Sequence, residues 1–146
     1  VFIDLDMNTV EPAIGAQRMD KVYAWKSMLD MGIHTSGGSD APVVSFDAME
    51  NIYFAVTRKN ISGQPQEGWI PSEKISVDEA VKLFTKNAAY ASYTEDENGT
   101  IEVGKNADFV VLEKNIYEID PDEIKATKVD MTVLGGEIVY EREVEE

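Results

Sequence analysis

No cysteine occurs among the 146 residues, which excludes disulfides and thiolate metal sites without settling the compartment. Histidine is almost as scarce, with His34 the single example. A metal centre needs several converging ligands, so this chain holds no complete one. Basic side chains are few as well: 13 Lys and Arg stand against 28 Asp and Glu, a formal charge of −15. That field repels phosphate backbones and anionic lipid, so nucleic acid is not an expected partner. No apolar run approaches the roughly 20 residues that span a bilayer, and no membrane role is expected. The opening VFIDLDMNTVEP lacks both a charged start and an apolar secretory core, and it reads as the interior of a longer protein.

What is present suits one soluble domain with a core, at 43% hydrophobic and 28% charged residues. The acidity is uneven. Residues 1–92 hold 8 basic and 12 acidic groups, whereas 93–146 hold 5 and 16. The shift marks either a boundary near Tyr93 or a solvated acidic surface.

Apolar spacing predicts a helix over residues 16–31, through Met19, Val22, Tyr23, Trp25, Met28 and Leu29, with Gly32 at its end. Ile33–Ser36 reads as a short strand running into the loop Gly37-Gly38-Ser39-Asp40-Ala41-Pro42. A second helix is expected with Ser45 as N-cap, Asp47 in the first turn and Met49, Ile52, Tyr53 and Val56 on one stripe, ending between Arg58 and Asn60. Residues 61–75, with two glycines and two prolines, should form an irregular loop. Ser76-Val77-Asp78-Glu79 is a capping box that starts a third helix reaching about Ser92. Beyond it the period becomes extended: Asn98-Gly99 marks a turn, 109–112 a strand, and 129–134 with 137–142 a hairpin around Gly135-Gly136, with a helical turn at 121–125.

Four segments, IGAQRMDKVYAWKSMLDMGI, GGSDAPV, AVTRKN…GQPQEGWIPSEKISVDEAVKLFTKNAAYAS and NGTIEVGKNADFVVLEKN, together resemble the C-terminal region of amidohydrolase family 3, of the metal-dependent hydrolase superfamily. The resemblance runs from about residue 13 to 140 and is carried by the combination. It implies an α/β fold in which residues 1–92 form the C-terminal end of a catalytic TIM barrel, with Ile33–Ser36 as its eighth strand. Residues 93–146 would be the C-terminal share of a small composite β-sandwich. A TIM barrel takes about 250 residues, so the other seven strands would lie upstream.

By position, Asp40 matches the family aspartate that follows the eighth strand, where it helps hold a catalytic divalent metal and handles the proton of the activated water. The C-terminal ends of barrel strands face the active site, which favours that role; a carboxylate that caps a Gly-rich turn is the alternative. His34 lies six residues earlier, about 20 Å of extended chain, and is read as a packing residue. Arg58 is either a substrate contact or a surface helix-end arginine, and Trp69 either lines the substrate pocket or packs its loop. GTIEVGKNADFVV lacks the GK[ST] ending of a phosphate loop and precedes a strand, so it is not read as one; the resemblance implies a turn and strand of the β-sandwich, with Gly104 and Asp108 serving backbone geometry and local hydrogen bonding.

The resemblance thus implies a fragment, inactive alone, of a cytoplasmic enzyme that hydrolyses a non-peptide amide or cyclic amide of a small molecule. A divalent metal, zinc, would serve the full-length protein, with none expected in this piece. The rival is a non-catalytic acidic assembly or binding module. Unpaired strand edges, with the Met19–Trp25–Leu29 and Met49–Val56 stripes, predict a homo-oligomer.

Overall fold

The structure, a computed structural model, describes residues 2–143. Residue 1 and residues 144–146, the outer ends of the two expected segments, lie outside the described residues. Two short helices, α1 (Phe2–Asp6) and α2 (Val10–Ile14), open the chain.

At the centre lies α4, Ala48–Thr57. Its N-cap is Asp47 rather than Ser45: the Asp47 carboxylate accepts from the Met49 and Glu50 amides at 2.8 and 3.4 Å, while the Ser45 hydroxyl accepts from the Asp47 amide at 3.2 Å. The shorter, charged acceptor takes the orphan amides because a charge-assisted bond at a helix start is the stronger one. Arg58, left-handed at φ 55°, stops the helix. Burial is not confined to one stripe, since Met49, Ile52, Tyr53, Phe54 and Ala55 are all enclosed. A helix that is apolar nearly all round belongs inside. Enclosing a side chain such as Phe54 contributes roughly 1.5–3 kcal/mol.

The helix expected over 16–31 is two pieces, a 3-10 turn at Ala16–Lys21 and α3 at Trp25–Asp30. Tyr23, at φ 48°, breaks the run. The physical reason is tertiary: the Val22 and Tyr23 carbonyls turn towards Arg58 instead of a helical amide. Residues 33–36 are likewise not a strand. A strand exists as a member of a ladder. Among the described residues this segment is instead held by three helices, α3, α5 (Val77–Phe84) and α6 (Lys86–Ala91): Ile33 N–H donates to the Met28 carbonyl at 3.0 Å, Asn87 Nδ2 to the Thr35 carbonyl at 2.9 Å, and Gly37 N–H to the Leu83 carbonyl at 2.9 Å.

The capping box at Ser76 forms, with Glu79 N–H donating to Ser76 Oγ at 3.2 Å and Ser76 N–H to Glu79 Oε2 at 2.7 Å. It starts α5 (Val77–Phe84), but Thr85 interrupts the expected run to Ser92 and a separate α6 (Lys86–Ala91) follows. The Thr85 hydroxyl donates back to the Val81 carbonyl at 2.9 Å, a contact that bends helices.

Three antiparallel strands, β1 (Phe109–Leu112), β2 (Val129–Leu134) and β3 (Glu137–Glu141), form one sheet in the order β1-β2-β3. Gly135 and Gly136 join β2 to β3 with φ of 59° and 84°, the paired positive values that a tight two-residue hairpin requires. Asp108 accepts from the Gly135 amide at 2.6 Å, so it serves a backbone group as expected but one 27 residues away, at the hairpin, rather than a local one. A 3-10 turn at Pro121–Ala126 presents Ile124 to α4.

Met49, Ile52, Tyr53, Phe54, Ala55, Ile75, Ala80 and Leu83 make one apolar cluster with Ile116 and Ile124, so both sides of residue 92 contribute to it. The helix stripes expected to be bare are covered here: Met49, Ile52 and Tyr53 are buried, and Trp25 and Leu29 pack against the cluster. Exposed apolar surface lies elsewhere, on Phe46, Ile101 and Val103 and on the sheet at Val110, Ile138 and Val139. Among the described residues no helix is long and apolar enough to cross a membrane.

Candidate active site

The end of α4 organises the polar interior. Arg58 is 0% exposed. Its Nε donates to the Trp69 carbonyl at 2.6 Å, Nη1 to the Tyr23 carbonyl at 2.9 Å and Nη2 to the Val22 carbonyl at 3.5 Å. The Arg58 carbonyl accepts in return from the Trp69 amide at 2.6 Å. The guanidinium carbon lies 5.1 Å from the Trp25 ring centre and 5.8 Å from that of Trp69, so both tryptophans of the chain flank it. The Tyr23 ring stands edge-on to Trp25 at 5.6 Å and tilted against Trp69 at 6.1 Å.

Burial pulls the Arg58 pKa down to about 10, opposed by Glu73 nearby, and the group stays charged at neutral pH. Glu73 is itself buried. Its burial favours the neutral acid, but bonds from the Ser27 hydroxyl and amide together with the Arg58 charge outweigh that, and the carboxyl is held below its usual range. Burial and a bond to Asp6 push the Tyr23 phenol up. On the other side of the 61–75 loop, Lys59 pairs with Asp122 at 2.7 Å, and Lys125 donates to the Ile61 carbonyl at 2.7 Å while lying 4.4 Å over the Tyr53 ring.

Gly68 permits this docking. A Cβ there would come within 2.3 Å of the Thr57 carbonyl oxygen, and its φ is +80°. Tyr23 and Trp25 also line a cavity of about 170 Å³ whose wall includes Thr35–Gly38, Asn51 and Phe84. Asp40 follows two residues beyond Gly38 and is exposed, in a left-handed turn at φ 49° whose carbonyl accepts from the Val43 amide at 2.9 Å.

The structure therefore brings Arg58 and Trp69 together, whereas Asp40 stands outside the cavity that its own loop helps to wall. The surface helix-end reading of Arg58 is corrected, because three carbonyls of distant segments enclose it. Tyr23 and Trp25 stood in the sequence only as residues of a helix stripe and Glu73 carried no site reading, since Arg58 comes near them only through the tertiary fold. His34 is exposed and stacks on Tyr90 at 4.2 Å. Among the described residues no three His, Asp or Glu side chains gather as a metal ion needs. One carboxylate, Asp40, suits a hard or borderline cation as a single ligand, but the residues present do not make a site.

The family model Amidohydro_3, described as "Amidohydrolase family", matches residues 1–140. This chain belongs to amidohydrolase family 3. It is 38% identical over 141 residues to "Putative amidohydrolase YtcJ" of Bacillus subtilis, a match that takes in 97% of this chain and 27% of that protein. It is 35% identical to the N-substituted formamide deformylase of Arthrobacter pascens, across 84% of this chain and 22% of the relative. This amidohydrolase chain thus spans about a quarter of the length of those relatives. An amidohydrolase crystal structure from Thermotoga maritima shares its fold over 82% of the chain and 26% of the other, with a TM-score of 0.62 at 21% identity.

A depressed carboxyl contributes stability that is present above its unfolded value, 4.5 for Glu73, and is lost as pH falls through the lower folded value. Glu73→Gln in this amidohydrolase chain is expected to lower the thermal midpoint at neutral pH, and the gap to the unaltered chain should close as pH falls below the unfolded value of 4.5 and through the lower folded one. Melting curves of both proteins across that range check it. A gap that does not change with pH contradicts the assignment.

Proposed function

We propose that this chain is the C-terminal part of a metal-dependent amidohydrolase that hydrolyses a non-peptide carbon–nitrogen bond of a small amide or cyclic amide. The observation that carries the proposal is the family match over residues 1–140, with GGSDAP placed in an exposed turn beside a cavity wall. The names of the relatives support the bond class: a formamide deformylase, imidazolonepropionases and 5-methylthioadenosine/S-adenosylhomocysteine deaminases. In this reading residues 1–92 are the end of a TIM barrel and 93–146 a share of a β-sandwich, and upstream sequence supplies the remaining strands and ligands.

In the full-length protein Asp40 would be one ligand of a divalent metal, zinc in this reading, whose other ligands lie outside this chain; when bound it would supply an acidified water and a polarised carbonyl. Asp40 is the carboxylate that accepts the proton as water oxygen attacks the carbonyl carbon. It then returns that proton to the nitrogen as the carbon–nitrogen bond breaks. Asp40 is exposed, in a left-handed turn, which leaves the residue open to solvent. Arg58 and Trp69 serve the substrate side of this reading indirectly, by packing against Tyr23 and Trp25, which line the cavity beside Gly37 and Gly38. The piece alone, with Asp40 as its one family ligand, is inactive in this reading, and the full-length protein works in the cytoplasm.

Asp40→Asn in the full-length protein keeps the shape of the side chain and removes its basicity. Turnover of N-acyl substrates with metal supplied is expected to fall by about 100-fold or more, with unchanged circular dichroism. Near-normal turnover sinks the catalytic assignment. The exposed apolar sheet face further predicts self-association of the 146-residue chain. Light scattering on size-exclusion fractions should give a dimer or larger species, and a stable monomer across micromolar concentrations overturns that part.

A further inference from the structure

Burying a guanidinium is costly unless its donors are met. Here they are met by carbonyls of two segments that are far apart in sequence: the 22–23 turn and Trp69 of the 61–75 loop. Only a planar fork can reach Trp69 through Nε while Nη1 and Nη2 reach Tyr23 and Val22; a single ammonium cannot serve both sides at once. The aromatic faces of Trp25 and Trp69 lie against the same cation, so charge, fork and ring stacking converge on one group. Without it the carbonyls of Val22 and Trp69 lose the donor described for them, the Tyr23 carbonyl keeps only the Trp25 amide at 2.8 Å, and Trp69 stays tied to α4 through its amide bond to the Arg58 carbonyl.

We propose that Arg58 is a positioning residue, whose charged fork, rather than packing alone, pins the 61–75 loop and Trp69 onto the 22–25 turn. It thereby fixes the Tyr23 and Trp25 wall of the cavity beside Gly37–Gly38. The clamp is a property of this chain and holds whether or not Asp40 is catalytic; its bearing on substrate rests on the proposed function. Arg58 in this account touches no substrate and acts through Trp69, Tyr23 and Trp25.

Trp25 and Trp69 are the two tryptophans of the chain, so intrinsic fluorescence reports on the clamp. The 146-residue chain, Arg58→Met and Arg58→Lys are compared for emission maximum, acrylamide quenching and thermolysin cleavage within residues 61–75. Methionine keeps apolar bulk without charge or donors; lysine keeps charge without the fork. The proposal expects both variants to shift emission to the red and to be quenched more readily. It also expects cleavage in the loop to rise roughly tenfold or more, in the order Met above Lys, with far-ultraviolet circular dichroism retained. Should Arg58→Met not fold, Arg58→Lys decides alone. Gly68→Ala, which drives a methyl into the Thr57 carbonyl while leaving Arg58 intact, should release the loop in the same way and calibrates the signal. Emission, quenching and cleavage like those of the unaltered chain in Arg58→Lys overturn the proposal. Because these readouts need no turnover, their failure is distinguishable from failure of the hydrolase reading.

Discussion

A single buried cation at the end of α4 holds the irregular parts of this structure in place. Regular elements satisfy their own backbone groups, but the 22–25 turn and the 61–75 loop do so only in part, and Arg58 supplies donors to both. The left-handed conformation at Arg58 that stops α4 also turns its side chain back into the interior. Helix termination and loop docking are thus one event. Glu73, held as a carboxylate by Ser27, supplies compensating negative charge nearby, so the interior carries a pair of charges rather than an isolated one.

Around that point the remaining packing follows from the apolar character of α4. Its residues are covered on one side by α5 through Ala80 and Leu83 and on another by Ile116 and Ile124 from the far half of the chain. Lys59 with Asp122 and Lys125 with the Ile61 carbonyl lie on the rim of that contact and give it direction. The sheet, by contrast, contributes Val133 to the buried set but leaves much of β1 and β3 in solvent. A three-stranded sheet so poorly covered fits a chain that spans about a quarter of the length of its relatives.

Elements set by local chemistry were legible in the sequence. The capping box at Ser76, the strands 109–112 and 129–134, the Gly135-Gly136 hairpin and the turn opening at Pro121 all lie where their residue types place them. Elements set by distant partners were not. Tyr23 sits within a good helical pattern yet breaks it for Arg58, 35 residues away. Ile33–Ser36 has strand composition but no ladder to join among the described residues, and at the start of α4 a carboxylate displaced a hydroxyl from the cap. For the candidate site, the motif led to Asp40 because an aspartate in a Gly-rich turn is a local feature. Arg58 drew attention through its motif, but its enclosure came only from the tertiary fold.

Amide hydrogen exchange reads directly whether the 61–75 loop is held at Trp69. The Trp69 N–H, bonded to the Arg58 carbonyl, is predicted to exchange as slowly as the amides of the last turn of α4, and distinctly more slowly than those of the neighbouring residues 66–67. Exchange of the Trp69 amide at the rate of an open loop, with α4 still protected, would contradict it.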